Sequence, residues 1–352
     1  MKTMFFFSMG LTAALLAAGV DAADAPAYGT KDDLLPGGAG MAVKGNLVFT
    51  TAGAESFAKA KRLVAIDVAA RAAPRIVSSV ELKGFPQDLA LAGNTAYVVD
   101  GLRLVAIDIA DPAAMRILSE TPIADVPEEG PQGIVLDGSL AHLACRRKGV
   151  VSVDVSKPAA PVVKATVATP FSRGVALGKV AGKTYLISAD DTRGLSVIQG
   201  GRIVASQRLK RGSAARVRVD GDKVFVADGG ACLAVFTLAS GGQLAPHAGL
   251  AAFPGSAYYG SYAYDVLPSG NRAYLAAGES GILVVDLSDP ARPVCTGEHK
   301  IAGVPLVRAL VRDGDRLFVN GGTMDGRTRF FTFAVGDGTV PQPLGEPLNL
   351  SE

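Results

Sequence analysis

Leu104-Val105-Ala106-Ile107-Asp108-Ile109, broken by Ala110-Asp111-Pro112, is the stretch on which the fold turns, because the chain writes it repeatedly. Leu63-Val64-Ala65-Ile66-Asp67-Val68 is nearly the same. Val151-Ser152-Val153-Asp154-Val155 and Leu283-Val284-Val285-Asp286-Leu287 are close copies, and fainter ones lie at 195–198, 233–236 and 330–334. A run of Val, Ile and Leu closed by Asp and a Pro turn is strand-and-turn chemistry, and Pro at 112, 158, 161, 290 and 293 rules out a helix. Landmarks at 67, 108, 154, 198, 236, 286 and 334 make seven units spaced 38 to 50 residues apart. Units of that period cannot bury an apolar face singly and must pack on their neighbours.

Reading outward from 104–109 completes one unit. Asp88-Leu89-Ala90-Leu91 is a short strand, Ala92-Gly93-Asn94 a turn and 95–99 the second strand; Asp100-Gly101 breaks the chain before the third, and Arg116-Ile117-Leu118 begins a fourth. The first turn recurs as Lys44-Gly45-Asn46, Asp137-Gly138-Ser139, Asp220-Gly221-Asp222, Ser269-Gly270-Asn271 and Asp313-Gly314-Asp315. Gly and Asn accept the positive φ that tight hairpins need. Four antiparallel strands per unit, seven units and no helix predict an all-β fold: a seven-bladed β-propeller of four-stranded antiparallel blades over 39–350. A β-helix has shorter coils, and tandem sandwiches need more residues per domain.

Asp286-Leu287-Ser288-Asp289-Pro290 carries a resemblance to the LVIVD-repeat family of exported, bacterial-type propellers. Asp108 to Pro112 follows with Ala110 in place of Ser, and Asp154 to Pro158 with Lys157 in place of Asp. The first unit departs, having Arg71 where Pro would stand, and the fourth, fifth and seventh lack the Asp. The resemblance implies the propeller and says little about chemistry.

The chain opens with Lys2, an apolar stretch through Phe5, Phe6, Phe7 and Leu11 to Ala18, and Val20-Asp21-Ala22. This reads as a secretory signal peptide, 1–22, rather than a retained anchor, and predicts a periplasmic or secreted protein. Residues 23–38 form an N-terminal segment before the first inner strand, able to lie loose or to add an outer strand to the last blade. With 35 basic and 33 acidic residues, a net charge of +2 gives no electrostatic case for nucleic acid or an anionic membrane surface, and no insertion is expected after signal cleavage. Cys145, Cys232 and Cys295 show no Cys-x-x-Cys spacing; buried, inert thiols are expected, with one disulfide as the alternative.

Asp67, Asp108, Asp154 and Asp286 end third strands in separate units, so they are read as acceptors for turn N–H groups rather than a metal array. His142 shares a second-strand column with Phe49, Tyr97, Phe225, Tyr274 and Phe318 and is expected to pack like them. His247 and His299 fall in or beside fourth strands, where exposure is usual. No metal or triad constellation is expected, no catalytic residue and no cofactor.

In a propeller the inner strands line a channel, and here the short turns gather on one face, leaving longer loops on the other. The loop-face starts of the inner strands nominate Gln87, Asp88, Gln132, Arg173, Arg216, Tyr264, Asp265 and Arg308 as a channel-mouth site. Three Arg against two Asp favour a small anionic ligand, the plainer reading being a hydrated channel. Residues 253–264 hold four of the eight tyrosines, Tyr258, Tyr259, Tyr262 and Tyr264, a composition suited to recognising a partner, or else to capping a blade edge. The function expected is an exported, non-catalytic binding or scaffold module for a protein partner or small anionic ligand. The alternative is a propeller hydrolase or lactonase with its site at the mouth, drawing on Asp88 and Asp265 with Asp100, Asp190, Asp191 and Glu279 nearby. A quinone-dependent dehydrogenase is set aside for want of Trp and of an adjacent cysteine pair.

Overall fold

A computed structural model of the chain describes residues 40–53, 61–210, 212–250, 262–323, 326–336 and 340–351. The expected signal peptide 1–22, the segment 23–38 and the residues Tyr258 and Tyr259 lie outside the described residues.

Seven antiparallel sheets follow one another along the chain. The first blade is β1 (Met41–Lys44), β2 (Leu47–Ala52), β3 (Arg62–Asp67) and β4 (Arg75–Glu81), the second β5 (Pro86–Ala92), β6 (Thr95–Asp100), β7 (Arg103–Asp108) and β8 (Arg116–Pro122). The third is β9 (Gly133–Asp137), β10 (Leu140–Cys145), β11 (Gly149–Asp154) and β12 (Val162–Val167). The fourth is β13 (Gly174–Val180), β14 (Lys183–Ala189), β15 (Leu195–Gln199) and β16 (Arg202–Gln207). Blade five holds β17 (Arg216–Asp220), β18 (Lys223–Asp228), β19 (Cys232–Leu238) and β20 (Leu244–Pro246), and blade six β21 (Asp265–Ser269), β22 (Arg272–Ala276), β23 (Ile282–Asp286) and β24 (Val294–His299). Blade seven is β25 (Leu306–Asp313), β26 (Arg316–Gly322) and β27 (Thr328–Ala334), with two short outer pieces, β28 (Gln342–Pro343) and β29 (Leu348–Asn349), both paired to β27. A single 3-10 turn, Pro127–Glu129, is the only helical element among the described residues.

The ring closes by packing. Seven apolar clusters form, one in each interface between neighbouring blades, and inner strand β1 touches β25 as every other inner strand touches its neighbours. At the closure, Met41, Val48 and Ile66 pack with Phe318, Phe330 and Leu350, Asn320 donates to Thr50 Oγ1 (2.7 Å) and the Thr51 carbonyl (2.9 Å), and Arg71 pairs with Asp315.

The second-strand column packs as its composition demands: Phe49, Tyr97, His142, Phe225, Tyr274 and Phe318 are buried, joined by Tyr185 of β14, which the sequence reading passed over. Tyr97 donates across to the Val155 carbonyl of the next blade at 3.0 Å, and Tyr185 to that of Ser240. His142 sits 2.8 Å from Ser152 Oγ, in the interface of blades three and four, whose apolar cluster is the smallest. His247 and His299 are half-buried rather than open: His247 meets Thr237 Oγ1 at 2.6 Å, and the His299 ring stands edge-on to Phe333. The hairpins joining first and second strands carry φ of +56° to +59° at Gly45, Gly93, Gly138, Gly221, Gly270 and Gly314, the first central position of a II′ turn. Blade four differs, with positive φ at both Ala181 and Gly182. All three cysteines are free thiols, and burial pushes Cys145 and Cys232 up to about 12.

Candidate functional site: the channel mouth

The loop-face ends of the inner strands meet at the ring axis, and the residues there alternate in depth. The deeper position is Gly40, Asp88, Gly133, Gly174, Arg216, Asp265 and Ala309 around the ring. Four of the seven are Gly or Ala because the strands approach closely: a Cβ on Gly40 would lie 2.5 Å from the Leu89 nitrogen, and one on Gly133 3.1 Å from the Arg173 carbonyl. That crowding leaves room for three charged side chains to converge. Arg216 of blade five reaches across to Asp88 of blade two at 2.8 Å and lies 3.6 Å from Asp265 of blade six, which Arg218 also pairs at 3.2 Å. Each aspartate also ties two blades: Asp88 accepts from Leu89 N and Ile134 N, and Asp265 from Val266 N and Leu310 N. Burial works against the charge of Arg216, but Asp88 and Asp265 outweigh it and hold its pKa above the ordinary value. Beneath this network lies a cavity of about 220 Å³ walled by Met41, Leu89, Ile134, Val175 and Val217.

Arg216 departs from its expected role as a ligand-facing cation. Arg216 is not offered to a ligand: two carboxylates against two guanidinium groups make a balanced floor. The balance of charge that bears on a ligand lies above it, at the shallower position.

The next positions along these strands, the rim, hold Gln87, Gln132, Arg173, Tyr264 and Arg308; of these Arg308 is fully buried at 2% exposure, which corrects its expected offer to a ligand, and Gln87 and Gln132 are buried as well. Gln87 and Arg308 are the extra residues of β-bulges in β5 and β25, which re-aim their side chains out of the strand alternation. Gln132, oriented with its oxygen toward Arg146, accepts from that guanidinium at 2.8 and 3.2 Å. Arg173 donates to the Tyr262 hydroxyl at 3.1 Å and lies 3.7 Å from Asp191. The same hydroxyl is 2.9 Å from Ser213 Oγ, and the Tyr262 ring leans on Tyr264 with centroids 4.9 Å apart. Burial pushes the Tyr264 hydroxyl up. Tyr262, expected in a partner-facing loop, is therefore joined to the mouth.

The nearby acids take three different places. Asp191 faces Arg173, while Glu279 lines a cleft between blades six and seven. Asp100 and Asp190 are buried, together with Asp228, which the sequence reading did not single out. All three end or follow second strands, a recurrence visible in Tyr97-Val98-Val99-Asp100, Ser188-Ala189-Asp190 and Val226-Ala227-Asp228. Asp100 accepts Gly84 N at 2.8 Å, and Asp190 accepts from Ser188 and Ser196. Burial raises all three, Asp228 to about 7. Among the described residues no group of three or more His, Cys, Asp or Glu is arranged to hold a metal ion.

The model of the LVIVD repeat matches residues 83–120, 131–169 and 260–300, covering blades two, three and six. No curated protein matches the chain. Among solved structures it is similar to a hypothetical selenium-binding protein from Sulfolobus tokodaii, at 14% identity and TM-score 0.64, covering 88% of this chain and 93% of that one. It is similar also to the periplasmic gluconolactonase PpgL of Pseudomonas aeruginosa, at 15% identity and TM-score 0.67, covering 86% and 97%. A protein from Lactobacillus plantarum matches at 17% identity and TM-score 0.59, covering 86% and 98%. Likeness at such identities shows a shared fold alone.

Proposed function

The chain is an LVIVD-repeat β-propeller, and from that premise we propose that it is an exported binding module whose channel mouth takes a small carboxylate-bearing ligand. The observation that carries this reading is the meeting of Arg173, Tyr262 and Tyr264 on the rim above a charge-balanced floor. Guanidinium groups bind carboxylates through paired N–H donors, and a tilted aromatic pair offers a wall to the rest of the ligand. Arg173 and Arg146 stand there against Asp191, so the rim favours an anion. Because Tyr262 is engaged at the rim, a small ligand is preferred over a protein partner at this site. Export rests on the signal-like segment 1–22.

Titration calorimetry with gluconate and other small carboxylates tests the proposal. Saturable binding is expected in the parent, with Arg173→Ala at least about tenfold weaker. A parent that binds no carboxylate, or an Arg173→Ala protein that binds as well as the parent, would overturn it.

The alternative, lactone hydrolysis at the same mouth, has the fold of the Pseudomonas gluconolactonase in its favour. It also fits the rim chemically, since opening a lactone with water yields a hydroxycarboxylate of the class the rim suits. Acid release from a lactone, abolished by Arg173→Ala, would select this reading over simple binding.

A further inference from the structure

Away from the axis, the crossing from blade six to blade seven opens a cleft of about 780 Å³ on the loop face, within the size range of small-molecule sites. Ile301, Val304 and Pro305 form one wall. Val304 is held by the fit of its neighbour: a Cβ on Gly321 would lie 2.5 Å from Val304 Cγ1, so the Val304 side chain rests directly on the β26 backbone. The charged groups on the lining are Arg329, Lys300 and Glu279. Among the described residues Lys300 makes a long, exposed contact with Glu298 at 3.6 Å. Arg329, on β27, has its Nε buried with no hydrogen-bond partner among the described residues. A buried guanidinium N–H left without an acceptor is costly, and an anion in the cleft would relieve it.

We propose that this cleft is a second binding site, separate from the channel mouth, for an amphipathic carboxylate: an unbranched alkyl acid whose chain lies along Ile301, Val304 and Pro305 and whose head meets Arg329 and Lys300. Two cations against one acid select an anion, and the apolar wall selects a chain that a sugar acid lacks. The site does not rest on the mouth's carrying a ligand.

Decanoate below its aggregation concentration is the probe, with decanol as the uncharged control and gluconate as the chainless one. The full protein is expected to bind decanoate saturably and decanol at least about tenfold more weakly, a gap of about 1.4 kcal/mol. Arg329→Met should weaken decanoate by a similar factor while leaving any gluconate binding at the mouth unchanged. Should Arg329→Met fail to show a cooperative melt, Lys300→Glu reverses an exposed charge on the same lining and is expected to weaken decanoate severalfold. The proposal fails if decanoate does not saturate, if decanol binds as tightly, or if the folded variant keeps the parent's affinity.

Discussion

The two faces of the ring use the same amino acid to opposite effect. On the turn face, Asp67, Asp108, Asp154 and Asp286 end third strands, and each accepts the N–H two residues on, at 2.8 to 3.0 Å. Arg75 and Arg116 bind the first two from the outer strand. Turn N–H groups and these arginines hold Asp67 and Asp108 below the ordinary carboxylate range, and Ser156 and Ser288 do so for Asp154 and Asp286. On the loop face, Asp100, Asp190 and Asp228 end or follow second strands, one strand nearer the axis, where burial raises them. Strand-end chemistry is shared; what differs is the water left around the carboxylate, and that decides the sign of the shift.

The largest expected effect tests the charged floor between these extremes. Arg216→Met leaves Asp88 buried beside no cation, and removing one partner of a buried pair typically costs about 3–5 kcal/mol. The urea midpoint should fall accordingly, whereas the Arg216→Met, Asp88→Leu double variant should lose clearly less than the two single losses added. Additive losses would mean that the two groups do not act as a pair.

Asp228 gives the next effect, and its direction follows from linkage. Its folded pKa, about 7, lies above the ordinary 3.8, so the unfolded chain releases the proton first as pH rises. Stability is therefore intact below pH 3.8 and declines as pH rises to about 7. Asp228→Asn removes that decline: it should match the parent near pH 4 and exceed it at pH 8, by about 2 kcal/mol after allowing for partial solvent screening. A variant no more stable than the parent at pH 8 would break the contrast between the faces.

Asp108→Asn should show the smallest change, with the reverse pH dependence. A carboxyl whose folded pKa is lowered contributes above its unfolded value and ceases to do so as pH falls through the folded one. The parent's advantage should thus be seen near neutrality and vanish in acid, in thermal melts at matched ionic strength. If Asp108→Asn and Asp228→Asn respond to pH in the same sense, the distinction between the faces is wrong.

Much of this was legible in the residues. The strand runs ending in Asp, the Gly-Asn and Gly-Asp hairpins and the aromatic second-strand column each follow from contacts a few residues apart, so local pattern shows them. The rim residues were legible by position too, since they stand at the starts of strands that must line an axis. Their chemistry was not. Arg173 and Tyr262 are 89 residues apart, and Arg216 and Asp88 are 128 apart. Arg216 reads as a free cation in its own strand and becomes half of a pair only when blade two is opposite blade five.

Sequence by itself determined the repeat, the four-strand blade, the turn carboxylates and where the inner strands begin, because each is set by alternation, turn geometry and apolar burial within one unit. Closure of the ring decided the rest. It set which charges face each other across the axis, which aspartates lose their water, that Tyr262 joins Arg173, and that a cleft opens beside blade seven. Those outcomes depend on distances between units remote in the chain, and electrostatic and desolvation energies are functions of such distances rather than of order along the backbone.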